Sequence, residues 1–313
     1  MNRPSQFVAW GLFLFLALVW GSSFILMKRG LEVFTPLQVA ALRLVIAGGV
    51  LFPLVWNKAR RLSRREWTAA LTVGLVGNAI PAFLFPLAET QINSATAGIL
   101  NALSPLFVLV LGLSFFGARF SGRQTLGVLI GFAGALVLVL GGQGPISTGG
   151  RVGYALLVVL ATVGYGLSTN LMKRYLNETP ALLASGFALF GASLPYLLYL
   201  IFFSGLGKTM AQPGAWMSLS YIAILGAVGT AAALIVFYRL VQLTDPIFSS
   251  SVTYLIPLVA LGWGLLDGER LEPLQFVGMA VILAGVYLAN RKGKAVLAPK
   301  PGPEQEIEAL MQE

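Results

Sequence analysis

The sequence predicts an all-α membrane protein whose ten transmembrane helices form two inverted five-helix repeats. Three observations predict it. Apolar residues make up 57% of the 313 and charged residues only 11%, with a mean hydropathy of +0.82. A soluble domain carries roughly 25% charged residues, and a soluble fold of this length could not hide so much apolar surface. The apolar residues fall into ten runs, each near the roughly 20 residues that a spanning helix needs. Finally, the first half of the chain recurs, residue for residue in places, in the second.

The ten predicted spans are 7–27, 36–56, 67–88, 95–117, 122–141, 152–172, 180–203, 216–238, 246–266 and 271–290. The first run carries no charge and ends at Lys28-Arg29. It is too long for the 7–15-residue core of a signal peptide, so it reads as a retained helix. Most connections are short, which makes successive helices antiparallel neighbours. Glycine and proline recur inside the spans, where membrane helices tolerate them. Residues 291–313 pass from Arg291-Lys292-Gly293-Lys294 through three prolines to an acidic end, and read as a solvated, disordered tail.

Lysine and arginine give the orientation. With the N-terminus in the cytoplasm, fifteen basic residues fall in inside segments and five in outside ones. That bias predicts cytoplasmic termini. The same spacing disposes of nucleic acid as the reason for the +9 net charge, because the basic residues sit between apolar runs and not along one face. Cysteine and histidine are absent, so the sequence offers no disulfide framework and no thiolate or imidazole metal site; no cofactor is expected.

The repeat is the most informative feature. Residues 20–29, WGSSFILMKR, align with 165–174, YGLSTNLMKR, and six of the ten are identical. Thr35-Pro36 matches Thr179-Pro180, Trp67 matches Trp216, and Pro105 matches Pro257. Residues 117–134 share Gly, Arg, Gln, Gly, Ala and Gly in register with 268–285, and the offset stays between 144 and 152 throughout. Five helices is an odd number, so the second unit enters the bilayer in the opposite sense. The expected units are 7–141 and 151–290, followed by the tail. Inverted repeats are a common plan of secondary transporters, because exchanging the conformations of the halves exchanges the open side.

These residues carry a family resemblance. Trp20-Gly21-Ser22-Ser23-Phe24, Ala41-Leu42-Arg43, Pro105 and Pro257, and Gly268-Glu269-Arg270-Leu271 followed by Gln275, Gly278 and Ala284-Gly285 resemble the EamA-type permeases of the drug/metabolite transporter superfamily over residues 7–290. The resemblance implies export or exchange of small metabolites, often amino acids, through a central cavity in a bacterial inner membrane. One departure is visible: the Gly-Glu turn before the last helix of a unit is Gly268-Glu269 in the second and Gly117-Ala118 in the first.

Arg43 is the one basic residue well inside a predicted span, about 10 Å deep at ~1.5 Å per residue. A charge left in lipid costs at least ~2.5 kcal/mol, so it marks a functional site by default; snorkelling to the interface or bonding a carbonyl is its structural alternative. The eight acidic residues before the tail all fall at helix ends or loops, which argues against a central carboxylate as a coupling group. Glu89, ending the third span, is a candidate partner for Arg43, with a solvated loop charge as the alternative reading. Polar and aromatic residues of the spans complete the expected substrate site: Trp20, Ser23, Asn78, Asn101 and Tyr165, then Ser168, Asn170, Ser250 and Tyr254. Aromatic faces with hydroxyl or amide groups suit a zwitterion or neutral metabolite. Glycines 122, 127, 131 and 134 with Gly278 and Gly285 predict that the fifth and tenth helices pack together.

The expected partners are therefore a small-molecule solute and the lipid bilayer, with no nucleic acid, for a monomer or weak homodimer. An integral membrane enzyme is the competing class. It would need a catalytic constellation, and the spans hold no paired Asp or Glu and no buried Lys. A lipid flippase or non-transporting sensor is the third.

Overall fold

The computed structural model describes residues 3–92, 94–140, 151–266 and 273–290. Every element among them is helical. In chain order these are α1 (Arg3–Leu31), α2 (Pro36–Val55), α3 (Arg64–Gly74), α4 (Ile80–Glu89), α5 (Ser94–Asn101), α6 (Ser104–Phe115), α7 (Gly122–Leu140), α8 (Arg151–Tyr175), α9 (Ala181–Phe202), α10 (Leu206–Met210), α11 (Ala215–Gly226), α12 (Ala233–Leu243), α13 (Pro246–Ser250), α14 (Ile256–Leu266) and α15 (Pro273–Asn290). Six helical stretches are long and apolar enough to cross a membrane: Gln6–Leu31, Pro36–Lys58, Arg64–Glu89, Gly153–Tyr175, Ala181–Phe202 and Ala215–Leu243. Shorter apolar helices lie at Ser104–Phe115, Pro246–Val259 and Phe276–Ala289. Large apolar side chains such as Phe7, Leu18, Leu156 and Phe203 are exposed, as lipid contact requires.

Capping chemistry sets several ends. Thr35 and Gln38 form a capping box at the start of α2, and Ser63 and Glu66 another at α3. Gly117 takes a positive φ of 61° beyond α6, where the Ala118 N–H closes back onto the Gly112 carbonyl.

Four spans are not continuous α-helices. The α3–α4 stretch contains a π-turn at Leu75–Ala79, and α11–α12 contains one at Ala227–Ala232. Each inserts one extra residue into the ladder. Pro81, which has no N–H, sits just after the first π-turn; Ala233 occupies the like place in the second, so proline is not the common cause. The span expected at 95–117 breaks between α5 and α6, just before Pro105. The span expected at 246–266 breaks at a 3₁₀ turn, Ser251–Tyr254, just before Pro257. A proline cannot accept the preceding turn's register and restricts the residue before it. Other boundaries shift by a few residues: α1 and α8 are longer than expected, and α12 runs on to Leu243. The tail at 291–313 and the Gly268-Glu269 turn lie outside the described residues.

Contacts between helices fix their directions. A Cβ on Gly127 would strike the Ala289 backbone, on Gly131 it would strike Tyr254, on Gly134 the Ile282 nitrogen, and on Gly285 the Gly131 backbone. As one chain rises the other descends, so α7 and α15 are antiparallel and nearly touch along their backbones, as expected for the fifth and tenth helices. Gly122 takes no part, having nothing near its missing Cβ. The pair α2 and α9 is also antiparallel: Gln38 Nε2 donates to the Ser204 carbonyl at 2.9 Å, Phe52 stacks on Phe190 at 4.8 Å, and Gly186 receives Val55.

Other contacts occur twice. Gly21 abuts Val259, and Gly166, 145 residues on from Gly21, abuts Phe107, 152 residues before Val259. Gly77 abuts Ser168 while Gly229 abuts Ser23, and Gly74 lies against the Ala188 carbonyl while Gly226 lies against that of Arg43. Two offsets, 145 for α1, α2 and their counterparts and 152 for the later helices, carry each member onto the other.

The close backbone approach makes a direct prediction. Gly127→Leu should cost about 1–3 kcal/mol by overpacking and lower the melting temperature of purified protein, whereas Gly122→Leu should leave it unchanged within about 0.5 kcal/mol. Equal melting of the two variants would contradict the packing.

Candidate functional site

The π-turns and helix breaks converge on one cavity of about 120 Å³, walled by α1, α2, both π-turn spans, both broken spans and α8. That is many times the ~10–15 Å³ that holds one water, and the wall is mostly apolar. Trp20, Phe24, Phe85, Tyr165 and Phe237 supply aromatic surface. Trp20 meets Phe237 at 5.2 Å between ring centres, and Tyr165 stacks on Phe85 at 6.0 Å. These two contacts are counterparts of each other at the two offsets. Indeed twenty of the twenty-four described lining residues fall into such pairs, among them Ser23 with Ser168, Met27 with Met172, Gly77 with Gly229, Asn78 with Thr230 and Asn101 with Thr253. Arg43, Leu44, Val73 and Ser250 remain unpaired.

Arg43 gives the cavity its character. It is the one cation among the described lining residues. It is half-buried and lines the cavity. Its Nε donates to Thr230 Oγ1 at 2.7 Å. Thr230 in turn donates to the Leu225 carbonyl at 2.9 Å, five residues back across the π-turn. With its proton committed, that hydroxyl can only accept from Arg43, which fixes the plane of the guanidinium. The terminal nitrogens make no hydrogen bond to the described residues and lie in the cavity wall. Tyr165 and Glu89 both act on Arg43 electrostatically, so the carboxylate at the end of α4 is within reach of the charge, as the sequence suggested. Asn78, lifted into the wall by the π-turn, also keeps its amide for the cavity.

Of the ten residues singled out in the sequence, the structure brings eight together: Trp20, Ser23, Arg43, Asn78, Asn101, Tyr165, Ser168 and Ser250. Several are held by bonds to backbone. Trp20 Nε1 donates to the Gly229 carbonyl at 3.1 Å, Ser23 and Ser168 donate to carbonyls one turn back, and Ser250 donates to Ile247 at 3.2 Å. Two residues need correction. Asn170 does not line the cavity: its Nδ2 donates to the carbonyls of Val108 and Gly166 and ties α6 to α8. Tyr254 also lies elsewhere: its hydroxyl donates to the Val128 carbonyl at 2.9 Å and its ring covers Gly131, bracing α7. Both polar groups are spent on packing. The polar lining residues missed are Thr230, Thr253, Ser104 and Thr169. A lone Thr or Ser in an apolar run carries no signal, but the repeat register would have found the first two as counterparts of Asn78 and Asn101.

Apolar helices of spanning length surround a cavity that holds one cation, Arg43, among its described lining residues. A sequence profile described as the EamA-like transporter family matches residues 8–140 and 152–291. The chain belongs to this family. It is 27% identical over 298 residues to the uncharacterized inner membrane transporter YedA of Escherichia coli K12, covering 91% of each chain. It is 29% identical over 294 residues to a probable terminal-alkyne amino-acid exporter of Streptantibioticus cattleyicolor, covering 90% of this chain and 94% of that one. It is 26% identical over 285 residues to a probable amino-acid metabolite efflux pump of Escherichia coli K12, covering 88% and 92%. A solved crystal structure shares the fold with a TM-score of 0.70 at 20% identity, over 90% of this chain and 96% of the other. These names are those of transporters and not of enzymes.

Thr230→Val is the sharpest test of the site's geometry. It keeps the shape, removes the acceptor of Arg43 Nε and leaves a charged donor unpaired, at a cost of roughly 1–3 kcal/mol. Ligand affinity should fall about tenfold, or more, and the melting temperature should fall as well. Unchanged binding by isothermal titration would contradict the role of Thr230.

Proposed function

We propose that the protein is a secondary transporter that exports or exchanges a small amino-acid-like metabolite by alternating access between two inverted repeats, 7–141 and 151–290, each of five spans. One observation carries the reading: the cavity is walled by pairs of counterpart residues drawn from both halves. A wall built that way keeps its composition when the halves exchange conformations, so one site can open to either side. The antiparallel pairs α7–α15 and α2–α9 are what a pseudo-two-fold axis in the membrane plane leads one to expect, since each pairs a helix with its own counterpart. The breaks before Pro105 and Pro257 supply the bending points. The inner membrane of a bacterium, with both termini cytoplasmic, is the expected location; the inner-membrane relative and the basic bias of the inside loops support it.

The substrate class follows from the wall. The terminal nitrogens of Arg43 present a planar fork that suits a carboxylate. Asn78 and the Tyr165 hydroxyl can take a second polar group, and the aromatic faces take an apolar side chain. Relatives whose names read amino-acid exporter and amino-acid metabolite efflux pump support this choice.

L-phenylalanine, phenethylamine and 3-phenylpropionate form a probe set that separates the groups. In liposomes L-phenylalanine should move, and phenethylamine, which lacks the carboxylate, should move at least tenfold more slowly. Equal rates would remove the carboxylate from the reading. Arg43→Ala should fold and abolish flux per folded molecule, and Arg43→Lys should recover only part of it. Wild-type flux from well-folded Arg43→Ala would return Arg43 to a structural role. A reporter fused after Asn290 should score as cytoplasmic; an external score would reject the ten-span topology.

A further inference from the structure

Lys28 and Lys173 are counterparts, 145 residues apart, and the structure treats them differently. Lys173, at the end of α8, lies over the C-terminus of α12. Its Nζ donates to the carbonyls of Val241 at 3.0 Å, Gln242 at 3.5 Å and Thr244 at 2.7 Å. These carbonyls end a helix and have no intrahelical partner, and the helix dipole adds negative potential there. The ammonium thus pins α8 to α12 at one end of the bundle. Lys28, near the end of α1, is exposed and makes no hydrogen bond to the described residues.

The place that Lys28 would occupy is nonetheless built. Adding 152 carries Glu89, Thr90 and Ile92, at the end of α4, onto Val241, Gln242 and Thr244. One turn before Lys28, Phe24 meets Phe85 with ring centres 6.1 Å apart, and Phe85 stands one turn before Glu89. In the second half the same spacing puts Thr169 and Phe237 in the cavity wall one turn before the engaged Lys173 and Val241. Where the second half offers only carbonyls, the first offers a carboxylate as well. That carboxylate acts on Arg43 in the present arrangement.

We propose that Lys28 and Lys173 are matched gate residues engaged in opposite phases of transport. Lys173 latches the end of α12 in the conformation seen here. Lys28 latches the end of α4, pairing with the Glu89 carboxylate, when the other end of the bundle closes. Glu89 then serves two cations in turn, Arg43 of the cavity and Lys28 of the gate, which links the state of the site to the state of the gate. This rests on the alternating-access reading, and the test separates the two.

The chain has no native cysteine, so introduced pairs report cleanly. Full-length protein in liposomes would carry either Lys173→Cys with Val241→Cys or Lys28→Cys with Glu89→Cys. A bifunctional thiol reagent as long as a lysine side chain should bridge the first pair readily at rest. It should bridge the second slowly, and at least fivefold faster once Lys173→Met releases the opposite latch. A rate at the second pair that ignores Lys173→Met overturns the proposal. Should Lys173→Met fold poorly, Lys28→Met serves, because that side chain is exposed. It should cut L-phenylalanine flux at least tenfold at an unchanged melting temperature, and Lys28→Arg should retain at least half. Wild-type flux from Lys28→Met overturns the proposal equally. If either cross-link stops flux but the pairs ignore each other, the gate assignment alone fails. If flux survives both cross-links, alternating access fails with it.

Discussion

Within a bilayer no water is available to the backbone, so every N–H and C=O must find its partner inside the chain. That constraint makes this protein helical throughout its described length, and it also dictates where the helices may depart from regularity. Four departures fall in the middle of spans among the described residues: the π-turns at Leu75–Ala79 and Ala227–Ala232, and the breaks before Pro105 and Pro257. Each lines the central cavity, through Gly77 and Asn78, Gly229 and Thr230, Asn101 and Ser104, or Thr253. Irregular backbone exposed to lipid would leave its polar groups unmet. Inside the bundle these groups find partners within the chain, as the Gly229 carbonyl does with Trp20 and the Leu225 carbonyl with Thr230. The cavity is therefore located by the backbone before any side chain is chosen.

Side-chain choice follows from a second consequence of the bilayer. Lipid tails are as apolar as the helices, so helices associate through close packing and not through the hydrophobic effect. Glycine at Gly131 and Gly285 lets α7 and α15 nearly touch, and Gly226 lets α11 settle on the Arg43 carbonyl. This last contact matters for chemistry. It holds the start of the second π-turn against the backbone of the residue whose guanidinium that turn orients through Thr230. Packing and function meet at one glycine.

Much of this was legible in the sequence. The apolar runs of about twenty residues announced the helical class, and the glycine spacing announced the α7–α15 contact. Arg43 stood out because a charge in such a run demands a reason. Eight of the ten polar residues singled out reach the cavity. What could not be read has a physical basis. A π-turn leaves no compositional trace when its residues are Ala, Val, Gly and Thr, as at 227–232. Asn170 and Tyr254 look like site residues because a polar group in a span needs a partner, but a backbone carbonyl satisfies that need as well as a ligand does. Only the fold says which carbonyls lie nearby.

The duplicated frame also raises the question of what lets one conformation prevail. If the halves alternate as proposed, perfect two-fold equivalence would make the two access states equal in energy, so any bias has to come from positions where the halves differ. The end held by Lys173 carries such a difference. Trp10 and Phe13 of α1 meet each other and Phe248 of α13 edge-on, at 5.2, 5.2 and 5.3 Å between ring centres. Their counterpart positions at the other end hold Ala155, Val158 and Thr96. Edge-on aromatic pairs contribute about 0.5–1.5 kcal/mol each beyond the area they bury, and about 1.4 kcal/mol is a tenfold population ratio. If the proposed alternation parts α1 from α13, opening the Lys173 end forfeits the two contacts that Phe248 makes with α1, and the counterpart positions hold no aromatic residues to forfeit. On that arithmetic the aromatic cluster alone favours the present conformation by about fivefold to a hundredfold or more. A solute has to supply that difference through contacts it makes better in the opposite state.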